Sequence, residues 1–278
     1  MARLPLSVVV CTLDEEAKIA RMLRSVAFAD EVVVLDSGST DRTCEIARAA
    51  GASVHSQAWR GFSQQKNDAA RLARHDWVLS LDADEIVDDD LQAALVDVLS
   101  GDPDPRDGWA VDRRGDFLGA LLPNSSRPAA RRAAVRLYHR GHSAWDEAMP
   151  VHEVVRVPGV SHPLPGTLLH VNGLHVADYV ALFSRYAGLE ADALREQGAQ
   201  VRVRDLTLRP VARFVWHLAV KGEWRLGRRG LVHAGIKSMS DFLRYARLLE
   251  LELGEAASTT VDDWDSGSTR AGRAGARR

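Results

Sequence analysis

The chain has 278 residues, a formal net charge of −2, and a composition of 46% hydrophobic and 27% charged residues. This composition is ordinary for a globular protein and excludes a chain that is disordered throughout. The length predicts one large α/β domain, or one domain with a helical appendage. Two cysteines, Cys11 and Cys44, cannot build a disulfide framework and show no metal-finger spacing, so the sequence favours the reducing cytosol.

Charge is unevenly distributed along the chain. Residues 1–100 carry 10 basic and 17 acidic side chains, whereas residues 201–250 carry 11 basic and 4 acidic ones. The acidic part argues against nucleic acid as a partner, and the basic part suits an anionic membrane or an anionic acceptor. The apolar start at 4–13 runs into acidic residues without a cleavage site, which predicts a buried strand instead of a signal peptide. No stretch predicts a transmembrane helix.

Strands and helices alternate through the first hundred residues. Apolar, β-branched runs predict strands at 6–13, 31–36, 53–57 and 77–81. Helical spacing and capping residues predict helices at 14–28, 41–50, 61–74 and 88–100. This alternation predicts a mainly parallel sheet covered by helices on both faces, with ligands bound at the carboxyl ends of the strands.

The rest of the chain divides into three segments. A Pro/Asp/Gly-rich break at 101–108 leads into a less regular segment that ends at 177, with short strands predicted near 108–113, 135–138 and 154–157. Apolar residues at helical spacing predict a helical extension over 178–254. The last segment, 255–278, has a low-complexity composition and is predicted to be a disordered basic tail.

Two carboxylates, Asp82 and Asp84, stand one residue apart at the end of the fourth predicted strand. Oxygen ligands of this kind suit Mg²⁺ or Mn²⁺, and a bound ion would stabilise a diphosphate as a leaving group. The ion would also bring positive charge to an acidic domain that binds an anionic donor. The alternative is that Asp84 and Glu85 only favour the turn and the start of the next helix.

The first two predicted strands also end in acidic turns. Asp36 could accept a hydrogen bond from the imide N–H of a pyrimidine, and Asp14 or Glu15 could accept one from a ribose hydroxyl. The backbone at 37–39 is able to turn tightly beside a base. Turn formation or helix capping is the alternative for each residue. Three acidic turns at one sheet edge together predict a nucleotide site.

Four segments of the first hundred residues form a linked set: LSVVVCTLDEE at 6–16, EVVVLDSGSTD at 31–41, QKN at 65–67 and WVLSLDADE at 77–85. Together they resemble family-2 glycosyltransferases, which have the GT-A fold. Three more segments, WRGF at 59–62, RRGDFLG at 113–119 and VHE at 151–153, are similar to the subgroup that includes bacterial lipopolysaccharide inner-core β-glucosyltransferases. The resemblance implies an α/β fold with a Rossmann-like, mainly parallel sheet flanked by helices and a C-terminal helical extension.

The resemblance also implies how the chain binds its substrates. It makes 1–100 the nucleotide-sugar-binding half of the GT-A domain and 101–177 the half that binds the acceptor. The implied donor is a nucleotide sugar, UDP-linked, and the implied acceptor is a cell-envelope glycan or glycolipid such as lipopolysaccharide core. The residues implied to bind the donor are Thr12, Asp14, Glu15, Asp36, Ser37, Gly38, Lys66 and Asp82. Asp36 would contact the base and Lys66 the diphosphate, while Asp82 would face the ribose or a metal-bound water.

The metal and the general base complete the implied site. Asp84 would ligate Mg²⁺ or Mn²⁺, with Asp82 and His170 in the same shell. Inverting transfer needs a base for the acceptor hydroxyl, which contributes about 10²–10⁴-fold to the rate. Glu153 is the first candidate for this base and Asp146 the second. The alternatives are an ordinary exposed carboxylate at 153 and a structural histidine at 170.

Two basic regions could contact anions. One comprises five arginines within fourteen residues: Arg127, Arg131, Arg132, Arg136 and Arg140. They suit a phosphate or carboxylate on the acceptor, or they form a solvated basic face. In the helical extension, basic residues surround Trp216 and Trp224, which suits peripheral contact with an anionic membrane, although packing on the domain is the alternative.

Two functions compete with glycosyl transfer. Haloacid-dehalogenase-like phosphatases also have an apolar strand that ends in two aspartates, the first of which, here Asp82, is the nucleophile. Three βα units precede the motif in this chain, however, and Ile86 stands where that family has a small hydroxyl residue. A non-catalytic nucleotide-sugar-fold binding protein would have lost its metal ligands, and both aspartates are present.

Overall fold

The computed structural model describes residues 4–123, 135–148, 153–171 and 175–271, with side chains as far as residue 254. The chain forms two compact units. The first unit contains Met1–Asp116 and Leu121–Asn172, and the second contains Phe117–Ala120 and Gly173–Arg278. The tail over 255–278 lies beyond the described side chains, and its disorder stays a prediction.

The first unit begins with the predicted alternation of strands and helices. Its elements are β1 (Leu4–Thr12), α1 (Ile19–Ser25), β2 (Ala29–Asp36), α2 (Thr43–Ala49), β3 (Ser53–Ser56), α3 (Phe62–Arg71), β4 (Trp77–Asp82), β5 (Glu85–Val87) and α4 (Asp89–Ser100). The central strands β1 and β4 are nearly continuous apolar runs, because helices bury both faces of a parallel sheet. The side chains of Leu6, Val8 and Val10 in β1 are completely buried in the core.

The order of the strands brings the three acidic turns to one edge of the sheet. The strands β3, β2, β1 and β4 lie side by side and are parallel. Thr12 at the end of β1 is in register with Asp36 at the end of β2, and the neighbouring Cys11 is in register with Asp82 at the end of β4. The mainly parallel α/β architecture predicted from the sequence is therefore confirmed.

The remaining strands complete the sheet. They are β6 (Gly108–Phe117), β7 (Ala120–Leu121), β8 (Val135–His139), β9 (Ala144–Trp145), β10 (Val155–Arg156) and β11 (Ser161–His170). Beyond β4 the sheet continues in the order β8, β6, β11 and β5, with β8 antiparallel to both of its neighbours, while β9 and β10 form a separate hairpin. The predicted short strands near 108–113, 135–138 and 154–157 correspond to β6, β8 and β10.

The ten-residue strand β11 was not predicted from the sequence. It contains Pro163, Pro165 and Gly166, which are residues that strands generally exclude. Its parallel pairing with β6 loses register between Pro163 and Thr167, where the prolines have no N–H groups to donate. Beyond this irregularity the strand recovers, and His170 pairs opposite Glu85 of β5. The strand therefore delivers a histidine to the turn that follows β4.

The second unit is helical, as predicted for the C-terminal extension. It contains α5 (Val176–Glu196), α6 (Val203–Val215), a π-helical turn (Trp216–Val220), a 3₁₀ turn (Glu223–Leu226) and α7 (Arg228–Ala271). Apolar residues of α5 and α7 meet in a small core of Ala191, Tyr245 and Leu248. No helix within the described residues combines the length and the apolar character that a membrane span requires.

Candidate active site

The turn after β2 is organised around Asp36, which is 2% exposed. Asp36 Oδ2 accepts hydrogen bonds from the N–H groups of Gly38 (2.9 Å) and Ser39 (2.8 Å), and Oδ1 accepts one from the Thr12 hydroxyl (2.9 Å). Burial raises the pKa of Asp36, but a hydrogen bond from the Ser39 hydroxyl, together with the three just named, outweighs burial and holds the pKa below its usual range. Gly38 has a φ of 106°, which would strain any side-chain-bearing residue. Asp36 therefore fixes the turn, and its contact with a base stays a prediction.

The loop after β1 is attached to the same turn. The Asp14 carboxylate accepts a hydrogen bond from the N–H of Thr40 at 2.8 Å. The N–H of Glu15 donates to Thr43 Oγ1 at 2.7 Å, and the Glu15 carboxylate is 2.8 Å from Lys18 Nζ. Asp14 thus joins the two loops, and its predicted contact with the donor stays a prediction.

Asp84, in the turn after β4, lies beside His170 at the end of β11. Asp84 Oδ2 is 3.1 Å from His170 Nε2, and both side chains are largely buried. The carbonyl of Asp84 accepts a hydrogen bond from the N–H of Val171 at 3.0 Å, which ties the end of β11 to the turn. A carboxylate oxygen that faces an imidazole nitrogen is a donor pair suited to Mn²⁺, and its carboxylate also suits Mg²⁺. The residues present therefore fit the predicted metal.

Glu85 is completely buried beneath this turn. One of its carboxylate oxygens accepts hydrogen bonds from Arg113 and from Arg136 (3.0 Å), and the other accepts one from the N–H of Asp82 (2.9 Å). The same guanidinium groups face Asp82 Oδ2, at 3.9 Å from Arg113 and 3.6 Å from Arg136. Burial raises the pKa of Asp82, but Arg136 and the other cations around it outweigh burial and hold the pKa well below its usual range. Asp82 is therefore kept ionised.

We expect Arg136→Met to lower the free energy of unfolding by about 3 kcal/mol, because it removes a cation from a buried carboxylate. Urea denaturation measures this change. The matched control is Arg42→Met, since Arg42 pairs with Glu16 on the surface at 3.3 Å and its loss should cost less than about 1 kcal/mol. Equal effects of the two substitutions would contradict an energetic role for the buried network.

Lys66 of α3 joins the two sides of the site. Its ammonium nitrogen is 3.2 Å from Asp82 Oδ1, 3.1 Å from Glu153 Oε2 and 4.5 Å from the centre of the Trp145 ring. Asn67 holds Trp145 in place, because its side chain accepts a hydrogen bond from the Trp145 N–H (2.8 Å) and donates one to the Trp145 carbonyl (3.0 Å). A single buried cation thus lies between the Asp82 carboxylate and the first candidate for the base.

Asp146, the second candidate for the base, is engaged in the β9–β10 hairpin. Its carboxylate accepts hydrogen bonds from Arg156 (2.6 Å) and from the N–H of Ala148 (3.2 Å), and its own N–H donates to the Val154 carbonyl (2.9 Å). The hydrogen bond from Arg156 lowers the pKa of Asp146. A carboxylate held in this way is a weak proton acceptor, so the geometry favours Glu153 for that role.

An open pocket of about 630 Å³ lies at this edge of the sheet, a size typical of small-molecule sites. The predicted site residues that line it are Thr12, Glu15, Ser37, Lys66, Asp82, Asp84 and His170. Trp59 and Phe62 also line it, with large exposed fractions and ring centroids 4.7 Å apart. Asp14, Asp36 and Gly38 are not among its lining residues and shape the turns around it. The two candidates for the base, Glu153 and Asp146, are also not among its lining residues, and Glu153 is joined to the pocket through Lys66.

The five arginines grouped in the sequence do not act together in the part of the chain that the structure describes. Arg127, Arg131 and Arg132 lie outside the described residues. Arg136 is buried beside Glu85, which excludes it from a solvated basic face, and Arg140 pairs with Asp76 at 3.1 Å. The roles of Glu85, Arg113 and Trp145 in supporting the site could not be predicted from the sequence. Their contact partners are distant in the chain, and no residue spacing indicates these contacts.

Comparisons with known proteins identify the family. Residues 7–128 match the family described as glycosyl transferase family 2. The lipopolysaccharide core biosynthesis glycosyltransferase LpsC of Rhizobium meliloti is 31% identical over 94% of this chain and 97% of its own length. An uncharacterized glycosyltransferase of Rickettsia prowazekii is 28% identical over 93% of this chain and 91% of its own length.

Among solved structures, TarS of S. aureus is similar over 86% of this chain, with 17% identity and a TM-score of 0.47. The match spans about half, 54%, of that TarS chain. The similarity to LpsC extends over nearly the whole of both proteins. The chain therefore belongs to glycosyltransferase family 2, with the GT-A fold, and is a glycosyltransferase.

Proposed function

We propose that the enzyme transfers a sugar from a UDP-linked donor to a cell-envelope glycan or glycolipid, such as lipopolysaccharide core, with inversion at the anomeric carbon. The observation that carries this proposal is the pocket lined by Asp82, Asp84, His170 and Lys66, with the Glu153 carboxylate 3.1 Å from the Lys66 ammonium. The choice of acceptor is supported by the similarity to LpsC, which is named for lipopolysaccharide core biosynthesis.

Asp84 and His170 would hold Mg²⁺ or Mn²⁺, with Asp82 beside them. When bound, the ion neutralises the donor diphosphate and makes it a better leaving group. Asp82 remains charged because Arg113, Arg136 and Lys66 surround it, so it can orient a donor hydroxyl or a metal-bound water without taking up a proton. These roles assign the metal-binding side of the pocket to the donor.

The nucleoside end of the donor would lie against the turns after β1 and β2. Thr12, Glu15 and Ser37 line the pocket there, and Ser37 accepts a hydrogen bond from Gln65 at 3.2 Å. The Asp36 carboxylate preorganises this wall through its own turn. The wall is acidic and rich in hydroxyl groups, which suits the ribose and base of a nucleotide, while Lys66 supplies the nearby positive charge that a diphosphate needs.

Glu153 would act as the general base. It would take the proton of the acceptor hydroxyl while the acceptor oxygen bonds to the anomeric carbon and the nucleoside diphosphate leaves with the electrons of the broken bond. The Lys66 ammonium, 3.1 Å from the carboxylate, positions Glu153 before the acceptor arrives. Attack opposite to the leaving group inverts the anomeric configuration.

Thermal-shift measurements with UDP, GDP, ADP and CMP, each with and without Mn²⁺, test the donor. We expect UDP with Mn²⁺ to raise Tm by several degrees, because a ligand at about 100 times its Kd adds about 2.7 kcal/mol to the free energy of unfolding. The other nucleotides should raise Tm less, and UDP without the ion should have a small effect. The proposal would be contradicted if all four nucleotides raised Tm equally, or if the rise in Tm were the same with and without Mn²⁺.

The enzyme would work in the cytosol, at the inner face of the cell membrane. Its two cysteines are unpaired, as expected in a reducing compartment. The second unit supports membrane contact, since Val220, Trp224 and Leu231 are more than half exposed. Exposed arginines lie between them in the chain: Arg225, Arg228 and Arg229. Exposed apolar side chains interleaved with arginines suit an interface with anionic lipid headgroups.

Sedimentation with phosphatidylglycerol vesicles tests this contact. We expect the double variant Arg228→Glu/Arg229→Glu to bind at least about tenfold more weakly, because each basic residue near an anionic surface contributes about 1 kcal/mol. The control is Arg21→Glu/Arg24→Glu, which makes the same charge change on exposed residues of the first unit. Equal loss in both variants would indicate a general charge effect and exclude a defined membrane surface.

A further inference from the structure

Three buried side chains converge in the second unit, and none of them is among the residues proposed for sugar transfer. Glu223 Oε1 is 2.7 Å from His217 Nδ1, and Glu223 Oε2 is 2.9 Å from His233 Nδ1. Each of the three side chains is less than 10% exposed. Within the described residues, this is the one group of three such side chains whose ligating atoms all lie within 4.8 Å of one another.

Irregular backbone brings the three residues together. His217 belongs to the π-helical turn, Glu223 begins the 3₁₀ turn, and His233 lies on α7. π-Helical turns are rare overall, but those that occur are often found at functional sites. A Cβ on Gly230 would lie 1.8 Å from the Glu223 carbonyl oxygen, so α7 packs directly on the 3₁₀ turn only because this residue is glycine. The local fold therefore holds the carboxylate between the two imidazoles.

The surroundings of this cluster are aromatic. The Phe117 ring centroid is 5.1 Å from that of His233, and the Tyr179 centroid is 6.3 Å from it. Each carboxylate oxygen of Glu223 faces one imidazole nitrogen, and the Glu223 side chain is only 4% exposed. A buried carboxylate is costly unless it is paired with a cation or bound to a metal.

Lys237 interacts with the charge of Glu223 but lies outside the cluster. It is half-buried, its ammonium lies 3.8 Å from the centre of the Phe183 ring, and partial burial lowers its pKa to about 8. Among the contacts of the described residues, no ion pair joins Lys237 or an arginine to Glu223. The cluster thus combines a buried negative charge with two nitrogen donors.

We propose that His217, Glu223 and His233 bind one divalent ion of the zinc class, which fastens the π-helical turn, the 3₁₀ turn and α7 together. Imidazole nitrogen and carboxylate oxygen are common zinc ligands, and a water completes a site with three protein ligands. Bonds of about 2.0–2.2 Å in tetrahedral geometry place ligand atoms about 3.3 Å apart. The contacts of 2.7 and 2.9 Å, which run to the two oxygens of Glu223, would lengthen by about 0.4 to 0.6 Å to admit the ion.

Metal analysis of the purified full-length chain, after dialysis against metal-free buffer, tests the proposal. We expect about one zinc per chain, retained in the variant Asp84→Asn/His170→Gln, which removes the transferase metal ligands. Glu223→Gln should lose the zinc, although its amide has the same shape and can still bond to both histidines. A zinc chelator should lower the Tm of the wild-type chain to that of Glu223→Gln and leave the Tm of the variant unchanged.

The control is His162→Gln, since His162 forms a His–carboxylate pair with Asp107 at 2.7 Å in the first unit and should not affect zinc content. If Glu223→Gln fails to fold, Co²⁺ is added to the metal-free wild-type chain instead. Tetrahedral Co²⁺ with nitrogen and oxygen ligands absorbs strongly in the visible range, so this absorption reports binding of the ion. A folded chain that contains no zinc and gives no such absorption would overturn the proposal and leave a purely hydrogen-bonded cluster.

Discussion

Replacing Asp84 by asparagine is expected to lower the rate of sugar transfer by about 10³-fold or more, because a metal's stabilisation of transition-state charge is worth several kcal/mol. Asparagine keeps the volume of the side chain and an oxygen that can accept a hydrogen bond from His170, which lies 3.1 Å from the carboxylate. What it loses is the negative charge that a divalent ion requires. The fold should therefore survive while metal binding fails.

Two measurements separate these effects. The rate of transfer as a function of Mn²⁺ concentration reports catalysis, and the Mn²⁺-dependent rise in Tm with UDP reports binding of the ion. Asp90→Asn is the matched control, since Asp90 is an exposed carboxylate in the first turn of α4 and its loss should change the rate less than about twofold. If Asp84→Asn kept more than about a tenth of the wild-type rate, Asp84 would have no place in the mechanism.

The location of the site follows from the sequence because parallel strands impose it. Once β1, β2 and β4 are recognised as buried strands joined by helices, their carboxyl ends must share one edge. Thr12, Asp36 and Asp82 then become neighbours without any knowledge of side-chain contacts, and the observed registers agree. His170 could be assigned to the site only through the family resemblance, because the prolines in β11 made this strand unrecognisable in the sequence.

The support beneath the site could not be predicted in the same way. Glu85 follows the two aspartates directly and looks like a turn residue, yet it is completely buried because Arg113 and Arg136 reach it from β6 and β8. Those strands are antiparallel or joined by long connections, so their order in the sheet does not follow from hydrophobic pattern. The cluster of His217, Glu223 and His233 could not be predicted for a similar reason, because it depends on a π-helical turn that no sequence pattern indicates.

Contacts seen only in the structure distinguish the two candidates for the base. Sequence alone ranked Glu153 above Asp146 without a contact to justify the choice. In the structure, Asp146 is held by Arg156 across a hairpin, whereas Glu153 contacts the lysine that also contacts Asp82. Both carboxylates have a cationic partner, but the partner of Glu153 lines the pocket and that of Asp146 does not.

Glu153→Gln is therefore expected to lower kcat by about 10²–10⁴-fold, the usual contribution of a general base. The glutamine amide can keep its contact with Lys66 through its oxygen, but it cannot take a proton from the acceptor. Binding of UDP and Mn²⁺ should be unaffected, because the contact of Lys66 with Asp82 at 3.2 Å does not depend on Glu153. The loss should therefore appear in kcat, with the UDP-dependent rise in Tm unchanged.

Asp146→Asn provides the comparison that makes this result specific. It removes the charge that pairs with Arg156 at 2.6 Å, so it should reduce the stability of the hairpin, but kcat should stay within about threefold of the wild-type value. Proton NMR of the product made by the wild-type enzyme should show inversion at the anomeric carbon. A large loss of kcat in Asp146→Asn with none in Glu153→Gln would transfer the role of base to Asp146, and a product with retained configuration would exclude a single displacement altogether.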